Sequence, residues 1–408
     1  MSNWLPRDLW TEILVSLPVK SLLRFQCVCK SWKSLISSPK FISMHAQHSE
    51  RTGNYAQILH CRRYRNSETP YQLLNIDGSF SEFQELGYPC QNRGRYYKVL
   101  DCKGLILFTT DNESHILWNP AIRMSMTLPR PRVDVPKGKH CVHGFGFDHR
   151  SNDYKVLRLV QDIYDLFPVL QVELYRLRTG AWETFTGADD FLYHIAPNTQ
   201  AFVNGVSHWF GYLKREHMLY DVYPKRVVVL FDMCDEQLRV MKLPNHLGLD
   251  WDKTLDLGVS GGLLSLMEYN GRQDVNLSCS IWLMKEYGVA ESWTKQFTIA
   301  LEGWSFGRIF CFRNNENILA WNRENEKESV LYIKSEGSLL GENTLIESLV
   351  LLDKVNPMQT RQTCLRKCQW ADSKKGKETK EKKRKTCTPE RSLSEEQENI
   401  AKKIRLET

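Results

Sequence analysis

The residues of this chain that could do chemistry begin with a serine flanked by glycines. Residues 258–262 (GVSGG) match the G-x-S-x-G turn, which exposes a nucleophilic serine between a strand and a helix. The residues that follow, 263–267 (LLSLM), have the pattern of a strand instead. We therefore expect a glycine-rich turn, and only labelling of Ser260 by a serine-directed probe would favour a hydrolase.

The cysteines, histidines and remaining glycines give no stronger indication of a catalytic or metal site. Residues 27–29 (CVC) and 364–368 (CLRKC) hold the closest cysteine pairs, and neither pair has zinc-site spacing. The histidines are dispersed, and residues 144–146 (GFG) lack the third glycine of a dinucleotide-binding loop. The sequence therefore predicts no catalytic residue, no metal and no cofactor.

The charge of the chain is concentrated at its C-terminal end. The 408 residues carry 55 basic and 48 acidic side chains, a net charge of +7, and residues 361–408 alone account for 15 basic and 8 acidic ones. Residues 1–360 are therefore neutral, which argues against nucleic-acid binding by the globular part. No apolar run reaches membrane-spanning length, the start lacks the pattern of a signal peptide, and the twelve cysteines are scattered. We expect a protein with reduced thiols that lies in the cytoplasm, the nucleus or both.

Apolar residues at helical spacing predict three short helices within residues 1–46. Leu9, Ile13, Leu14 and Leu17 follow this spacing, and Pro18 and the Ser38-Pro39 pair are expected to end helices. Three helices in so few residues cannot bury this many apolar side chains among themselves. The segment therefore predicts an exposed apolar surface that binds a protein.

Residues 50–355 are predicted to form a second, mostly β domain. Short apolar runs alternate with turn signals, of which 204–205 (NG) and 270–271 (NG) are the strongest. Recurrent tryptophans at a spacing of 40–50 residues favour a β-propeller of about six blades, with room for six or seven. A large pair of β-sandwiches is the alternative. No flexible Gly/Ser linker appears between residues 41 and 60.

Residues 366–408 form a charged tail that we expect to be disordered, because its composition cannot bury a core. The tail contains a run of four basic residues, and such runs are typical of nuclear-import signals. The candidate import residues are Lys382, Lys383, Arg384 and Lys385.

The N-terminal segment contains five short stretches of a recognisable pattern: 5–9 (LPRDL), 12–14 (EIL), 17–22 (LPVKSL), 27–32 (CVCKSW) and 39–41 (PKF). With these stretches it closely resembles an F-box in its plant form. The resemblance implies docking on a Skp-type adaptor, and through it on a cullin scaffold and a RING subunit. By position, the adaptor contacts should come from Leu5, Pro6, Ile13, Leu17, Pro18, Leu22, Leu23, Val28 and Trp32. Some of these must instead pack the core of the segment, and the sequence does not divide them.

The β region contains a second set of recognisable stretches: 117–120 (LWNP), 144–148 (GFGFD), 153–156 (DYKV), 203–205 (VNG), 208–209 (HW), 231–232 (FD), 240–244 (VMKLP), 281–287 (IWLMKEY) and 291–295 (ESWTK). With these stretches the region resembles the F-box-associated, kelch-like domain of plant F-box proteins. It departs from the family at Lys103, where an Asn usually precedes the Gly. Trp118, Trp209, Trp282 and Trp293 are expected to fill the core between sheets.

The two resemblances together imply an α+β multidomain protein with a helical F-box (1–46), a propeller-like domain (50–355) and a disordered basic tail. They imply a non-catalytic substrate receptor of an SCF-type E3 ubiquitin ligase, which captures an unidentified target protein for ubiquitination and proteasomal degradation. The tail resembles that of family members that remove plant immune receptors; the S-locus F-box group is another possibility. A β-propeller enzyme, a scaffold outside any ligase and a nucleic-acid binder remain alternatives. We expect no membrane partner and no specific nucleic acid.

Overall fold

The computed structural model describes seventeen stretches of the chain, which all lie in the first of its two units, 1–352 and 353–408. Leu5, Pro6, Gly271 and the tail with its import residues fall outside the described residues, so the predictions made for them stay predictions. The described residues are 7–52, 57–61, 71–75, 83–86, 96–110, 114–135, 139–162, 170–185, 193–196, 200–213, 225–250, 253–270, 278–300, 308–313, 317–321, 328–332 and 347–350.

The N-terminal segment contains four helices, one more than the sequence predicts. Ser38 and Pro39 were expected to end the third helix, but they begin a fourth. The Ser38 hydroxyl accepts a hydrogen bond from the Phe41 amide at 3.2 Å, and Pro39 occupies the first helical turn, where its missing N–H costs nothing. The helices are α1 (Arg7–Val15), α2 (Val19–Phe25), α3 (Lys30–Ile36) and α4 (Pro39–Thr52).

The rest of the described chain is almost entirely antiparallel β-sheet. Among the described residues, six sheets follow one another along the sequence, and two short helical turns lie between their strands, α5 (Asn245–Gly248) and a 3₁₀ turn (Ala290–Ser292). The strands of the six sheets, in chain order, are β1 (Gln57–Cys61), β2 (Tyr71–Asn75) and β3 (Phe83–Leu86); β4 (Tyr96–Cys102), β5 (Leu105–Thr110), β6 (His115–Asn119) and β7 (Met124–Thr127); β8 (Lys139–Asp148), β9 (Asp153–Asp162), β10 (Gln171–Arg176) and β11 (Ala181–Phe185); β12 (Tyr193–Ile195), β13 (Ala201–Val203), β14 (Val206–Leu213), β15 (Arg226–Asp232) and β16 (Gln237–Lys242); β17 (Thr254–Ser260), β18 (Leu263–Asn270), β19 (Ser278–Met284) and β20 (Trp293–Ala300); and β21 (Arg308–Arg313), β22 (Asn317–Trp321) and β23 (Glu328–Tyr332).

The sheets are arranged as the blades of a propeller, which confirms the predicted fold class. Within each four-stranded sheet the strands pair in chain order, and the first strands of these sheets make the contacts to neighbouring sheets: β8 contacts β4 and β14, and β17 contacts β13 and β14. The chain therefore runs from the inside of each blade to its outside. Four sheets, from β4 to β20, are complete blades of four or five strands, and the other two have three described strands each. The predicted count of about six blades is thus not confirmed; the described residues give four complete blades.

Turn chemistry and tryptophan packing position these blades as the sequence predicts. Asn204 and Gly205 both have positive φ, +55° and +80°, which the two-residue hairpin between β13 and β14 requires. Trp118, Trp209 and Trp293 are buried, and Trp282 is half-buried against the core cluster that contains Trp293. None of the described helices is long and apolar enough to cross a membrane.

Candidate adaptor-docking surface

The four N-terminal helices share one small apolar core. Each helix directs at least one large apolar side chain inward, and each such side chain contributes about 1.5–3 kcal/mol on burial. In α1, Leu14 and Val15 are buried in this core, whereas another face of the same helix points outward. The buried members of this core from the helices are Leu14, Val15, Val19, Leu22, Ile36 and Phe41.

Three large apolar side chains among the described residues of the helical segment are exposed. Leu9 and Ile13, four residues apart on one face of α1, are 43% and 47% exposed, and Val28 in the turn before α3 is 62% exposed. The half-buried ring of Trp32 lies 5.4 Å from that of Trp10, centroid to centroid. Large exposed apolar side chains gathered in one small segment are typical of a protein-binding surface. We call Leu9, Ile13 and Val28 the exposed apolar set.

The structure divides the predicted adaptor contacts, which the sequence alone could not do. Leu22 is fully buried, so it packs the core and is not a surface residue in this conformation. The predicted contacts Ile13 and Val28 are exposed. Leu9 was not among the predicted contacts, but it is exposed as well. Its spacing of four residues from Ile13, which puts both on one face of α1, is the sequence signal that could have identified it. The half-buried predicted contacts are Leu17, Pro18, Leu23 and Trp32.

The helical core continues into the first complete blade, β4–β7. Ile122, in the turn between β6 and β7, and Leu349, in the stretch 347–350, belong to the same buried cluster as the helix residues. At the end of α4, Glu50 forms an ion pair with Lys103, with 2.6 Å between Oε1 and Nζ. Lys103 is the residue that departs from the family pattern. Its positive φ of +43° places it at the left-handed position of the turn, and its side chain contacts the helices. The helices and the blade are therefore packed as one body.

The stretch 347–350, which we call the strap, crosses this junction. The Glu347 carboxylate accepts a hydrogen bond from the Val19 amide at 2.8 Å. Burial raises the pKa of the Glu347 carboxyl, and the bond from the Val19 amide opposes that rise. On the blade side, the buried Asn119 amide donates to the carbonyls of Ser348 and Val350, at 2.9 and 3.1 Å.

Comparison with protein families follows the same division of the chain. The F-box domain matches residues 3–44. The F-box associated beta propeller domain matches residues 57–353, which is more than half of the chain. The chain belongs to the F-box proteins with an F-box-associated β-propeller domain.

Curated relatives of this F-box protein come from Arabidopsis thaliana. F-box protein CPR1 is 26% identical over 388 residues, which cover 85% of this chain and 89% of the relative. F-box/kelch-repeat protein At3g23880 is 29% identical over 306 residues, covering 72% of this chain and 79% of the relative. F-box protein At4g22390 is 24% identical over 392 residues, covering 88% and 93%.

Buried ion networks inside the propeller explain several of the family-like stretches. The Lys155 ammonium donates to the Asp148 carboxylate at 2.7 Å, to the Met233 carbonyl at 2.6 Å and to Glu236 at 2.8 Å. Burial alone would raise the pKa of Asp148, but the hydrogen bonds from Lys155 and Ser151 hold it below its ordinary value. These contacts join the second complete blade (β8–β11) to the third (β12–β16), so we assign them to blade assembly.

The residues with catalytic or metal-binding potential are also accounted for by packing. Ser260 is buried at the end of β17, and Gly261 and Gly262 lead directly into strand β18, as the sequence predicts and unlike a nucleophile turn. The Nε2 atoms of His115 and His143 lie 3.1 Å apart. Among the described residues, however, no group of three or more His, Cys, Asp or Glu side chains is arranged to hold a metal ion.

Proposed function

We propose that this protein is the substrate-recognition subunit of an SCF-type E3 ubiquitin ligase. Its F-box binds a Skp-type adaptor, which connects it to a cullin scaffold and a RING subunit. Its propeller binds a target protein, which is ubiquitinated and then degraded by the proteasome. The protein supplies proximity between the target and a charged conjugating enzyme and no catalytic side chain of its own.

The exposed apolar set is the observation that carries this proposal. Among the described residues, Leu9, Ile13 and Val28 are exposed in a segment whose buried apolar residues form a core, so they add nothing to that core. The family membership assigns that segment to the F-box, and adaptor docking supplies a reason for the exposed side chains.

We further propose that the target binds the propeller face opposite the F-box. The F-box contacts two turns of the first complete blade. One is the turn between its first and second strands, at Lys103, and the other is the turn between its third and fourth strands, at Ile122. At that end, two-residue turns join β4 to β5, β13 to β14 and β17 to β18. Connections alternate between the ends of an antiparallel sheet, so the connections that follow β9, β14 and β18 begin at the other end. Recognition residues are most often found on such loops.

Adaptor binding by the full-length protein tests the proposal. We expect Ile13→Glu and Val28→Glu to weaken the affinity for a purified Skp-type adaptor by at least about tenfold, because each places a charge in an apolar contact. Leu249→Glu is the matched control, since Leu249 is a similarly exposed apolar residue (52%) in the propeller. A wild-type protein that is folded but does not bind the adaptor would refute the proposal.

The location of the protein is a separate part of this proposal. We propose that it acts in the cytoplasm, the nucleus or both, and that Lys382–Lys385 serve as an import signal. Replacing these four residues with alanine should lower the nuclear fraction of a fluorescent fusion. An unchanged distribution would remove the import role and leave the ligase role untouched.

A further inference from the structure

The short corner between α1 and α2 is held by two polar side chains, the buried His45 and the half-buried Glu347. It consists of Leu17, Pro18 and Val19, and Leu17 and Pro18 are predicted adaptor contacts. On one side, the His45 ring of α4 donates from Nε2 to the Leu17 carbonyl at 3.0 Å. Burial lowers the pKa of His45, which favours the neutral ring that makes this bond. On the other side, Glu347 of the strap accepts from the Val19 amide.

The Val19 amide has no partner within its own helix, because it is the first residue of α2. Pro18 precedes it with extended backbone angles, and no side chain of the preceding residue caps the helix. Glu347 therefore supplies, from 328 positions away, an acceptor for one of the amides in the first turn of α2 that have no partner within the helix. A charged acceptor at a helix start is also favoured by the helix dipole.

The other end of the strap is anchored to the propeller. Asn119 is fully buried and donates to two strap carbonyls, while its own Oδ1 accepts from the Ala121 amide at 3.1 Å. Leu349 is buried in the core shared by the F-box and the first complete blade. The position of Glu347 is thus set by the blade, and Glu347 in turn contacts the corner.

We propose that Glu347 is a positioning residue for adaptor docking, which holds the corner 17–19 in its binding conformation and fixes it to the propeller. The role rests on the proposed function, because it treats the corner as part of the adaptor contact. Glu347 itself does not need to touch the adaptor.

Two measurements on the full-length chain test this role. The first is amide hydrogen exchange at Val19 without adaptor, resolved by fragmentation mass spectrometry. The second is the Kd for a Skp-type adaptor. We expect Glu347→Ala to accelerate the exchange at Val19 and to weaken the Kd, each by about tenfold or more, the usual effect of losing a hydrogen bond to a charged group.

Matched variants separate the hydrogen bond from other effects. Glu347→Gln keeps a carbonyl oxygen at the same distance and should restore most of both properties. Glu50→Ala removes another contact between F-box and propeller, away from the corner, and should leave both unchanged. If Glu347→Ala does not fold, Glu347→Asp keeps the charge but shortens the reach and should show the same two defects.

Three results would overturn the role. Unchanged Val19 exchange in Glu347→Ala would show that the contact does not protect the amide. Faster exchange with an unchanged Kd would show that the corner does not control docking. Wild-type protein that does not bind the adaptor would refute the proposed function and this role with it. In that case, faster Val19 exchange in Glu347→Ala would still show that the strap protects the Val19 amide.

Discussion

Replacing Lys155 with methionine tests whether the ion network between the second and third complete blades holds the propeller together. The Lys155 ammonium makes three hydrogen bonds, and its side chain and that of Asp148 are only 3% and 4% exposed. Methionine fills a similar volume but donates nothing. The Asp148 carboxylate and the Met233 carbonyl would therefore be left buried without this partner.

Removal of one member of a buried ion pair typically costs about 3–5 kcal/mol. Asp148 retains hydrogen bonds from the Ser151 hydroxyl at 2.6 Å and from two backbone amides, so we expect the lower end, about 3 kcal/mol. For a unit of this size, that corresponds to a fall in Tm of roughly 4 °C. Thermal unfolding followed by circular dichroism measures it.

A second substitution and a pH series isolate the cause. Asp148→Asn added to Lys155→Met removes the unpaired charge and should recover part of the lost unfolding free energy.

The pKa of Asp148 in the folded wild type lies below its ordinary 3.8, so the stability that the pair contributes is present above about pH 4 and is lost as the pH falls. The gap between wild type and Lys155→Met should therefore narrow below about pH 4. A cost under about 1 kcal/mol, or no recovery in the double variant, would refute the reasoning.

Three further substitutions test packing and burial, each by its effect on unfolding. Gly146→Ala should cost about 1–3 kcal/mol in chemical denaturation, because its Cβ would lie 2.4 Å from the Phe202 ring; an unchanged midpoint would contradict that close approach. Leu22→Ala should destabilise the F-box by about 2–5 kcal/mol, whereas Val28→Ala should change stability by less than about 0.5 kcal/mol; equal effects would contradict the division into core and surface. Burial lowers the pKa of His208 to about 4, so the stability of its neutral form is lost as the pH falls from about 6.5 towards 4; a His208→Gln variant with the same pH slope as wild type would disprove this.

Local features of the fold could be predicted because their causes lie within a few residues. The hairpin at Asn204 and Gly205 follows from the left-handed backbone that these residues tolerate. The turn after Ser260 follows from the strand pattern of the residues behind it. The fourth helix is not among the predicted ones although its signal is local too, because the Ser38-Pro39 pair is compatible both with the end of one helix and with the cap of the next.

The features that decide function depend on contacts between distant parts of the chain. Leu22 and Ile13 are both apolar residues at helical spacing, and only tertiary packing makes one a core residue and the other a surface residue. Lys155 was part of a recognised stretch, but its partner Glu236 lies 81 positions away in another blade. No periodicity in a single sequence encodes an ion pair between residues so far apart. The family resemblance therefore located the stretch that contains Lys155 without giving its physical role.

The geometry of the junction bears directly on how a ligase receptor of this type would work. Helix α4 runs to Thr52 and β1 begins at Gln57, so residues 53–56 could span at most about 14 Å even when fully extended. The linker is not the main constraint, however, because the F-box core also includes Ile122 and Leu349 from the far side of the junction. A flexible tether would let a bound target sample many orientations, so the target would spend a smaller fraction of time in the productive one. A shared core instead fixes the propeller relative to the adaptor, so the choice of lysines that are modified on a target would be set by how the target sits on the propeller.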